Sequence, residues 1–181
     1  MRSINHFKAD LTGWIGALCM LVFAVIAIYK FNQSGLLFFL MLFLRDIFAA
    51  WFLITREISQ QKATNKIYEL LAYTSSALPL FYIQQSDASL FALKLCSLMA
   101  IFGFMISTLA LFELGTSFGI SPTKRSIRDG GLYRYFRHPM YLGYVIAESG
   151  FMLLSPLNIG LFVISVIMYW LRAKTENKIL R

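Results

Sequence analysis

Long apolar stretches, separated by short polar connections, run along most of the chain. Several approach the roughly 20 residues that a helix needs to cross a bilayer. The first is followed by others and lacks a small-residue cleavage pattern, so we interpret it as a retained span rather than a removed signal. The expected fold class is all-α, a polytopic membrane helix bundle. Its six helices are predicted at about Leu11–Tyr29, Leu36–Ile54, Ile67–Ile83, Ala88–Phe112, Pro139–Leu154 and Leu157–Leu171.

The last two predicted helices are unusually short, with about 16 and 15 residues, or about 24 and 22 Å in length. The hydrocarbon core of a bilayer is about 30 Å thick, so helices of this length could stop short of a full crossing. Ser155 and Pro156 connect them tightly. We therefore expect a short helical hairpin that brings the chain back to the level at which it entered.

The composition supports a membrane protein, because 58% of the 181 residues are hydrophobic and only 14% are charged. The formal net charge of +8 raises the question of nucleic acid binding, which the distribution of lysine and arginine answers. With six spans, the connections on the opposite face hold only Lys30. The connections on one face hold Arg2, Lys8, Arg56, Lys62, Lys66, Lys124, Arg125, Arg128, Arg134, Arg137, Arg172, Lys174, Lys178 and Arg181.

This segregation is the positive-inside pattern, and it predicts that both termini and the 115–137 loop are cytoplasmic. The basic side chains are then expected to contact the anionic headgroups of membrane lipids. Nucleic acid is not an expected partner.

Five charged residues lie in or near the apolar stretches: Arg45, Asp46, Glu69, Lys94 and Glu148. Charges at membrane depth are costly and therefore candidates for function, although ion pairs that fix helix packing are the favoured interpretation for Arg45, Asp46 and Lys94. Arg45 and Asp46 are adjacent and do not face each other on a helix. We expect each to find a partner on another span, and Asp46 with Lys94 is one possible pair.

Glu148 has an informative spacing, because helical periodicity places it on one face with His138, Tyr141, Val145 and Met152. Its carboxylate would lie about two turns deeper than the histidine. A substrate-specific role and a satisfied buried pair are equally open for this residue.

No metal site is expected. Cys19 and Cys96 fall inside apolar stretches without the spacing of a zinc or redox pair, and we interpret both as packing residues. His138 has no second histidine near it in the sequence.

The segment from Gly130 to Gly143 combines turn residues, two arginines, a histidine and three tyrosines at the entrance to an apolar stretch. Its glycine pair permits backbone angles that other residues avoid, and Pro139 favours an extended His138 followed by the first turn of a helix. The free N–H groups and positive dipole of a helix start favour an anionic ligand group such as a carboxylate or phosphate.

Two motifs resemble those of the isoprenylcysteine carboxyl methyltransferases and their relatives. The first is Gly131-x-Tyr133 followed by Arg137-His138-Pro139-x-Tyr141-x-Gly143. The second resembles the Arg-x-x-x-Glu-Glu-x-x-Leu segment of that family, with Arg172, Glu176 and Leu180 at matching places and Asn177 at the second glutamate. The resemblance divides the chain into amino-terminal transmembrane helices, residues 1–113, and a methyltransferase-like cofactor-binding region, residues 114–181.

The resemblance implies S-adenosylmethionine as the cofactor, held by Gly131, Tyr133, His138, Tyr141 and Glu176. It also implies a lipophilic small-molecule or lipid-like acceptor that arrives from the bilayer. The acceptor would be the carboxylate of an isoprenylcysteine-like molecule, or another small lipophilic acid, thiol or amine. The predicted catalytic residues are Arg137, beside the anionic end of the cofactor, Arg172, which would hold an acceptor carboxylate, and Glu148. A thiol or amine acceptor must lose a proton, and either Glu148 or His138 is then a candidate base.

Two alternatives stay open at this point. The same architecture resembles that of membrane sterol reductases, which use NADPH, so a reductase is the first alternative. A non-enzymatic scaffold or transporter subunit is the second, and it would use the polar residues only for helix packing.

Overall fold

The structure, a computed structural model, describes residues 11–56, 66–85, 88–120 and 130–179. Within these ranges the regular structure is entirely helical, which confirms the predicted all-α bundle. Its α-helices are α1 (Leu11–Ser34), α2 (Leu37–Thr55), α3 (Lys66–Ala77), α4 (Leu90–Leu114), α5 (Pro139–Ser149) and α6 (Leu157–Ile179).

Within the described ranges, four segments are long and apolar enough to cross a membrane: Gly13–Ser34, Leu37–Thr55, Leu90–Ser117 and Leu157–Lys178. They support an integral membrane protein. Large apolar side chains, including those of Leu18, Val25, Trp51 and Phe102, cover the outside of the bundle, as contact with lipid requires.

The two remaining helices are shorter, and each continues into a single 3₁₀ turn. Helix α3 has 12 residues before the turn Leu78–Phe81, and α5 has 11 before the turn Gly150–Leu153. Pro79 helps to end α3, because proline has no N–H group to donate to the preceding helical turn.

The last helix is longer than the apolar pattern predicts, so the expectation of a helix of about 15 residues that ends near Leu171 is wrong. Helix α6 has 23 residues and ends at Ile179. Its apolar pattern stops earlier, but alanine, lysine and glutamate follow, which favour a helix without any apolar face. This extension carries the second motif into the site.

Helices α4 and α5 make unusually close contact through small residues. A Cβ atom on Gly103 would overlap the backbone of Gly143 and Ala147, and one on Gly143 would lie 2.5 Å from Gly103 O and 2.9 Å from Ser107 Cβ. Pairs of small residues four apart allow helix backbones to approach in this way in membranes. This small-residue seam fixes the position of the short α5 within the bundle.

The connections of the bundle form two layers. In one layer Lys30 Nζ donates to Tyr82 O at 3.0 Å, and the Asn158 side chain bonds both backbone groups of Ile83. In the other layer Arg172 donates to Ile120 O at 3.3 Å. The start of α5 lies in this second layer, beside the end of α6.

The expectation that Asp46 finds its partner on another span, with Lys94 as one candidate, is wrong, although Arg45 does lie over the Tyr144 ring of α5. The two side chains pair with each other, with Arg45 Nη2 2.6 Å from Asp46 Oδ1, and both are buried. The arginine is long enough to fold back along α2 to its neighbour, which the spacing rule for shorter side chains does not anticipate. Lys94 is exposed on α4.

Several predicted features lie outside the described residues. They are the termini, the centre of the 115–137 loop, and the residues Arg2, Lys8, Lys62, Lys124, Arg125, Arg128, Leu180 and Arg181.

Candidate functional site

The entrance to the site is a 3₁₀ turn, Gly131–Arg134, held by a carboxylate from α4. The backbone N–H of Leu132 lies 3.0 and 2.9 Å from the two carboxylate oxygens of Glu113. Gly131 has a φ of 58°, and a Cβ atom there would overlap the Glu113 side chain. Both the backbone conformation and the available space therefore require glycine. Sequence reasoning missed Glu113, whose signal was a lone carboxylate at the end of an apolar stretch.

His138 stands immediately before the first helical residue, Pro139, as the sequence predicts. Its side chain does not cap α5 and turns towards α6 instead. The first N–H groups of a helix have no partner within the helix, so the start of α5 presents free donors beside the imidazole.

The two sequence motifs meet in a small polar cluster, formed by His138, Tyr141, Glu176 and Asn177. The Tyr141 hydroxyl donates to Glu176 Oε1, and His138 Nδ1 lies 3.4 Å from Glu176 Oε2. The rings of His138 and Tyr141 stack with centroids 5.6 Å apart. The side chains of His138 and Glu176 remain 19% and 24% exposed, so a ligand can reach both.

Asn177, which differs from the usual residue of the family, completes this cluster. Its Oδ1 lies 3.2 Å from His138 Nε2. An amide can accept a hydrogen bond from a protonated Nε2 or, with its ends exchanged, donate to a bare one. A carboxylate at this position could only accept a hydrogen bond. Asn177 is therefore compatible with both neutral tautomers of His138, with the proton on Nδ1 or on Nε2.

Arg172 is buried beneath the cluster and is largely occupied by protein groups. It donates to Ser75 Oγ at 2.9 Å and to Ile120 O at 3.3 Å, and its guanidinium carbon lies 5.1 Å from the centre of the Tyr141 ring. Its Nε has no hydrogen-bonding partner among the described residues. The arginine ties α3, α6 and the segment after α4 together around Tyr141.

Glu148 is buried deeper in the bundle, and two tyrosine hydroxyls donate to its carboxylate. Tyr82 donates at 3.0 Å, and Tyr169 makes a second, shorter bond. The Tyr169 ring in turn stacks on that of Tyr141 at 5.8 Å, with an angle of 8° between the rings. Glu148 therefore contacts the site indirectly, through Tyr169.

Sequence reasoning did not identify Tyr82, Tyr169 or Asn158. Asn158 donates to Ile83 O at 2.7 Å and to Phe151 O at 2.9 Å, and so holds the segment that carries Tyr82. Each of these residues is a single polar group in an apolar or connecting stretch, and only helix packing shows what it contacts.

The other two predicted site residues lie at the margin. Arg137 is exposed beside His138. Tyr133 packs against the core, and burial raises the pKa of its hydroxyl, so this group remains neutral. The described parts of the chain contain no group of three His, Cys, Asp or Glu side chains that could hold a metal ion.

Comparisons with known proteins support the motif resemblance. The model of the isoprenylcysteine carboxyl methyltransferase (ICMT) family matches residues 95–181 and so begins inside α4. Neither the curated proteins nor the solved structures gave a match. The matched region contains the whole polar cluster, and this carboxyl-terminal region, residues 95–181, is a region of the isoprenylcysteine carboxyl methyltransferase family, a family of membrane methyltransferases.

Proposed function

We propose that the protein transfers a methyl group from S-adenosylmethionine to a lipophilic acceptor that enters from the bilayer. The observation that carries this proposal is the contact of His138 and Tyr141 with Glu176, which joins the two family motifs in one partly exposed cluster. A carboxylate with 24% of its side chain exposed, beside two aromatic rings and a helix start, offers complementary groups for this cofactor.

The residues present fit the cofactor in three respects. The Glu176 carboxylate would bind the ammonium of the methionine moiety. The free N–H groups at the start of α5, with exposed Arg137 nearby, would bind its carboxylate. His138, Tyr133 and Tyr141 supply aromatic faces for the adenine and ribose, and Gly131 allows the chain to turn beside them.

S-adenosylmethionine, when bound, supplies an electrophilic methyl group on a sulfonium. The protein then has to align the acceptor with this methyl group and exclude water, because the displacement itself needs no metal or nucleophilic triad. Tyr141 is held by Glu176 on one side and by stacking on Tyr169 on the other. A ring that is fixed on both sides can position the reactants without reorganising.

The acceptor would reach the cluster along apolar side chains of α5 and the turn that follows it. Val145 and Met152 are only partly buried, which supports an approach of the acceptor from the lipid side. A carboxylate acceptor, as in the enzymes that name the family, would use the unpartnered Nε of Arg172. A thiol or amine acceptor must lose a proton, and Glu148, acting through Tyr169, is the base we propose for it.

Binding of S-adenosylhomocysteine to detergent-purified protein, measured by calorimetry, tests the cofactor assignment. We expect His138→Ala and Glu176→Ala each to weaken binding tenfold or more, or about 1.4 kcal/mol, because each removes a charged or hydrogen-bonding group. Lys94→Ala, an exposed charge on α4, is the matched control and should bind normally. Unchanged affinity in both site variants, or preferential binding of NADPH, would refute the proposal.

A further inference from the structure

The buried pair Arg45–Asp46 on α2 is left incompletely satisfied. Nη2 of Arg45 and Oδ1 of Asp46 form the 2.6 Å ion pair with each other, whereas Nε of Arg45 and Oδ2 of Asp46 have no hydrogen-bonding partner among the described residues. Arg45 is 4% exposed and Asp46 is fully buried. Buried polar groups without partners are costly and uncommon, so these two atoms, one donor and one acceptor, indicate a place where a polar ligand group can bind.

The pair also lies beside the proposed methyl-transfer site. The Arg45 guanidinium carbon is 5.0 Å from the centre of the Tyr144 ring, which packs against the rings of Tyr141 and Tyr169. Tyr144 follows Tyr141 by three residues on α5, which places it about 4.5 Å further along the helix from the His138 entrance. The cofactor motifs and the ion pair therefore border one aromatic cluster at successive depths.

The charges of the pair select the kind of group that can bind. Asp46 would repel a carboxylate and Arg45 would repel an ammonium, so an uncharged group is favoured. A hydroxyl can both donate and accept hydrogen bonds, which suits the free Oδ2 of Asp46 and the free Nε–H of Arg45. Arg45 also lies within electrostatic reach of Glu148, but that carboxylate already accepts from two tyrosines.

We propose that Arg45 and Asp46 bind an uncharged hydroxyl at the head of a lipophilic molecule. Resting on the proposed function, this assigns the acceptor to hydroxyl-bearing amphiphiles of the phenol type rather than to carboxylates or amines. The hydroxyl oxygen would form the new O–C bond as the S–C bond of the sulfonium breaks, S-adenosylhomocysteine would leave, and the hydroxyl proton would pass to the free Oδ2 of Asp46. The pair lies outside residues 95–181, so the family region supplies the cofactor end of the site and α2 supplies selectivity for the acceptor.

Direct binding of three probes with the same octyl chain tests this site without any need for catalysis. The probes are 4-octylphenol, octanoate and octylamine, titrated calorimetrically into detergent-purified protein without cofactor. We expect the wild-type protein to bind the phenol at least tenfold more tightly than either charged probe. Asp46→Asn removes the negative charge and should shift the ratio of affinities at least tenfold towards octanoate.

Two further variants separate a binding role from a structural one. The double variant Arg45→Met with Asp46→Leu leaves no unpaired buried charge and should lose the preference for the phenol while it still binds S-adenosylhomocysteine. Lys94→Met, which removes an exposed charge, should retain the wild-type preference. Failure of the phenol to bind, equal affinity for the three probes, or unchanged selectivity in Asp46→Asn and in the double variant would overturn this inference. If the wild-type protein does not bind S-adenosylhomocysteine at all, that result would instead refute the proposed function.

Discussion

Glu113, at the end of α4, accepts a hydrogen bond from the backbone N–H of Leu132. Both of its carboxylate oxygens take part, at 3.0 and 2.9 Å from the Leu132 nitrogen. This contact orients the glycine turn that leads into the His138 motif. It also accounts for Gly131, where any side chain would overlap the carboxylate.

The turn at Gly131 can therefore be tested with two adjacent glycines. Gly131→Ala forces a side chain into a φ of 58° and into the Glu113 carboxylate, so we expect binding of S-adenosylhomocysteine to weaken at least tenfold. Gly130→Ala is the matched control, because a Cβ there meets nothing within 4 Å and its φ is −98°. Calorimetry on both variants is the measurement, and equal affinities would contradict the role given to this turn.

A methyl group added in the small-residue seam between α4 and α5 should destabilise the protein more than one added at an open glycine. Gly103→Ala would press a Cβ atom against the backbone of α5, which cannot move aside easily. Overpacking of this kind typically costs about 1–3 kcal/mol, so we expect the free energy of unfolding to fall by about 2 kcal/mol. Gly160→Ala on α6 meets nothing within 4 Å and should be neutral or slightly stabilising. Thermal unfolding in detergent compares them, and an unfolding midpoint for Gly103→Ala at or above the wild-type value would count against the seam.

The two tyrosines that donate to Glu148 should be needed for stability as well as for position. Tyr169→Phe leaves a buried carboxylate with one donor fewer, at an expected cost of about 1–3 kcal/mol. Tyr82→Phe should behave similarly. Tyr135→Phe is the control, since that side chain is 76% exposed. Thermal unfolding midpoints would show a loss in the first two variants, and three equal midpoints would argue against the buried network.

The orientation in the membrane remains a prediction from the distribution of positive charge. Among the described residues, Arg134 and Arg137 precede the start of α5 and Lys178 lies at the end of α6, in the layer that contains His138. Lys30 lies in the opposite layer, with Tyr82. Tyr135→Cys should be protected from an impermeant thiol reagent in intact cells, and Gln84→Cys should be labelled, because the positive layer is expected to face the cytoplasm. The opposite labelling pattern would reverse the orientation.

Entry of the acceptor from the bilayer predicts a dependence on chain length. In a methyl-transfer assay, catalytic efficiency should rise with the alkyl length of the acceptor and then level, at about 0.8 kcal/mol per buried methylene. Val145→Asp should lower this efficiency without weakening S-adenosylhomocysteine binding, since Val145 packs against the apolar core one helical turn beyond Tyr141. Short water-soluble acceptors that react equally well would show that the pocket opens to the cytosol.

The sequence by itself determined the all-α membrane bundle and the approximate place of its helices. Apolar length is a local property, and a helix that satisfies its own backbone hydrogen bonds is the natural structure for an apolar chain in a bilayer. The His138 entrance was equally predictable, because Pro139 restricts its neighbour through short-range sterics. The end of α6 was predicted wrongly, because the prediction followed the apolar pattern, whereas the last turns of α6 are helical by propensity alone.

Only the tertiary structure decided which polar groups satisfy one another. Glu113 and Leu132 are 19 residues apart, and Tyr82 and Glu148 are 66 apart, so helix packing, and not local sequence, brings them together. The pairing of Arg45 with Asp46 shows the same limit at short range, because their burial together depends on the helices around α2. A buried polar group needs a partner, but the sequence does not specify which partner the packing will place within reach.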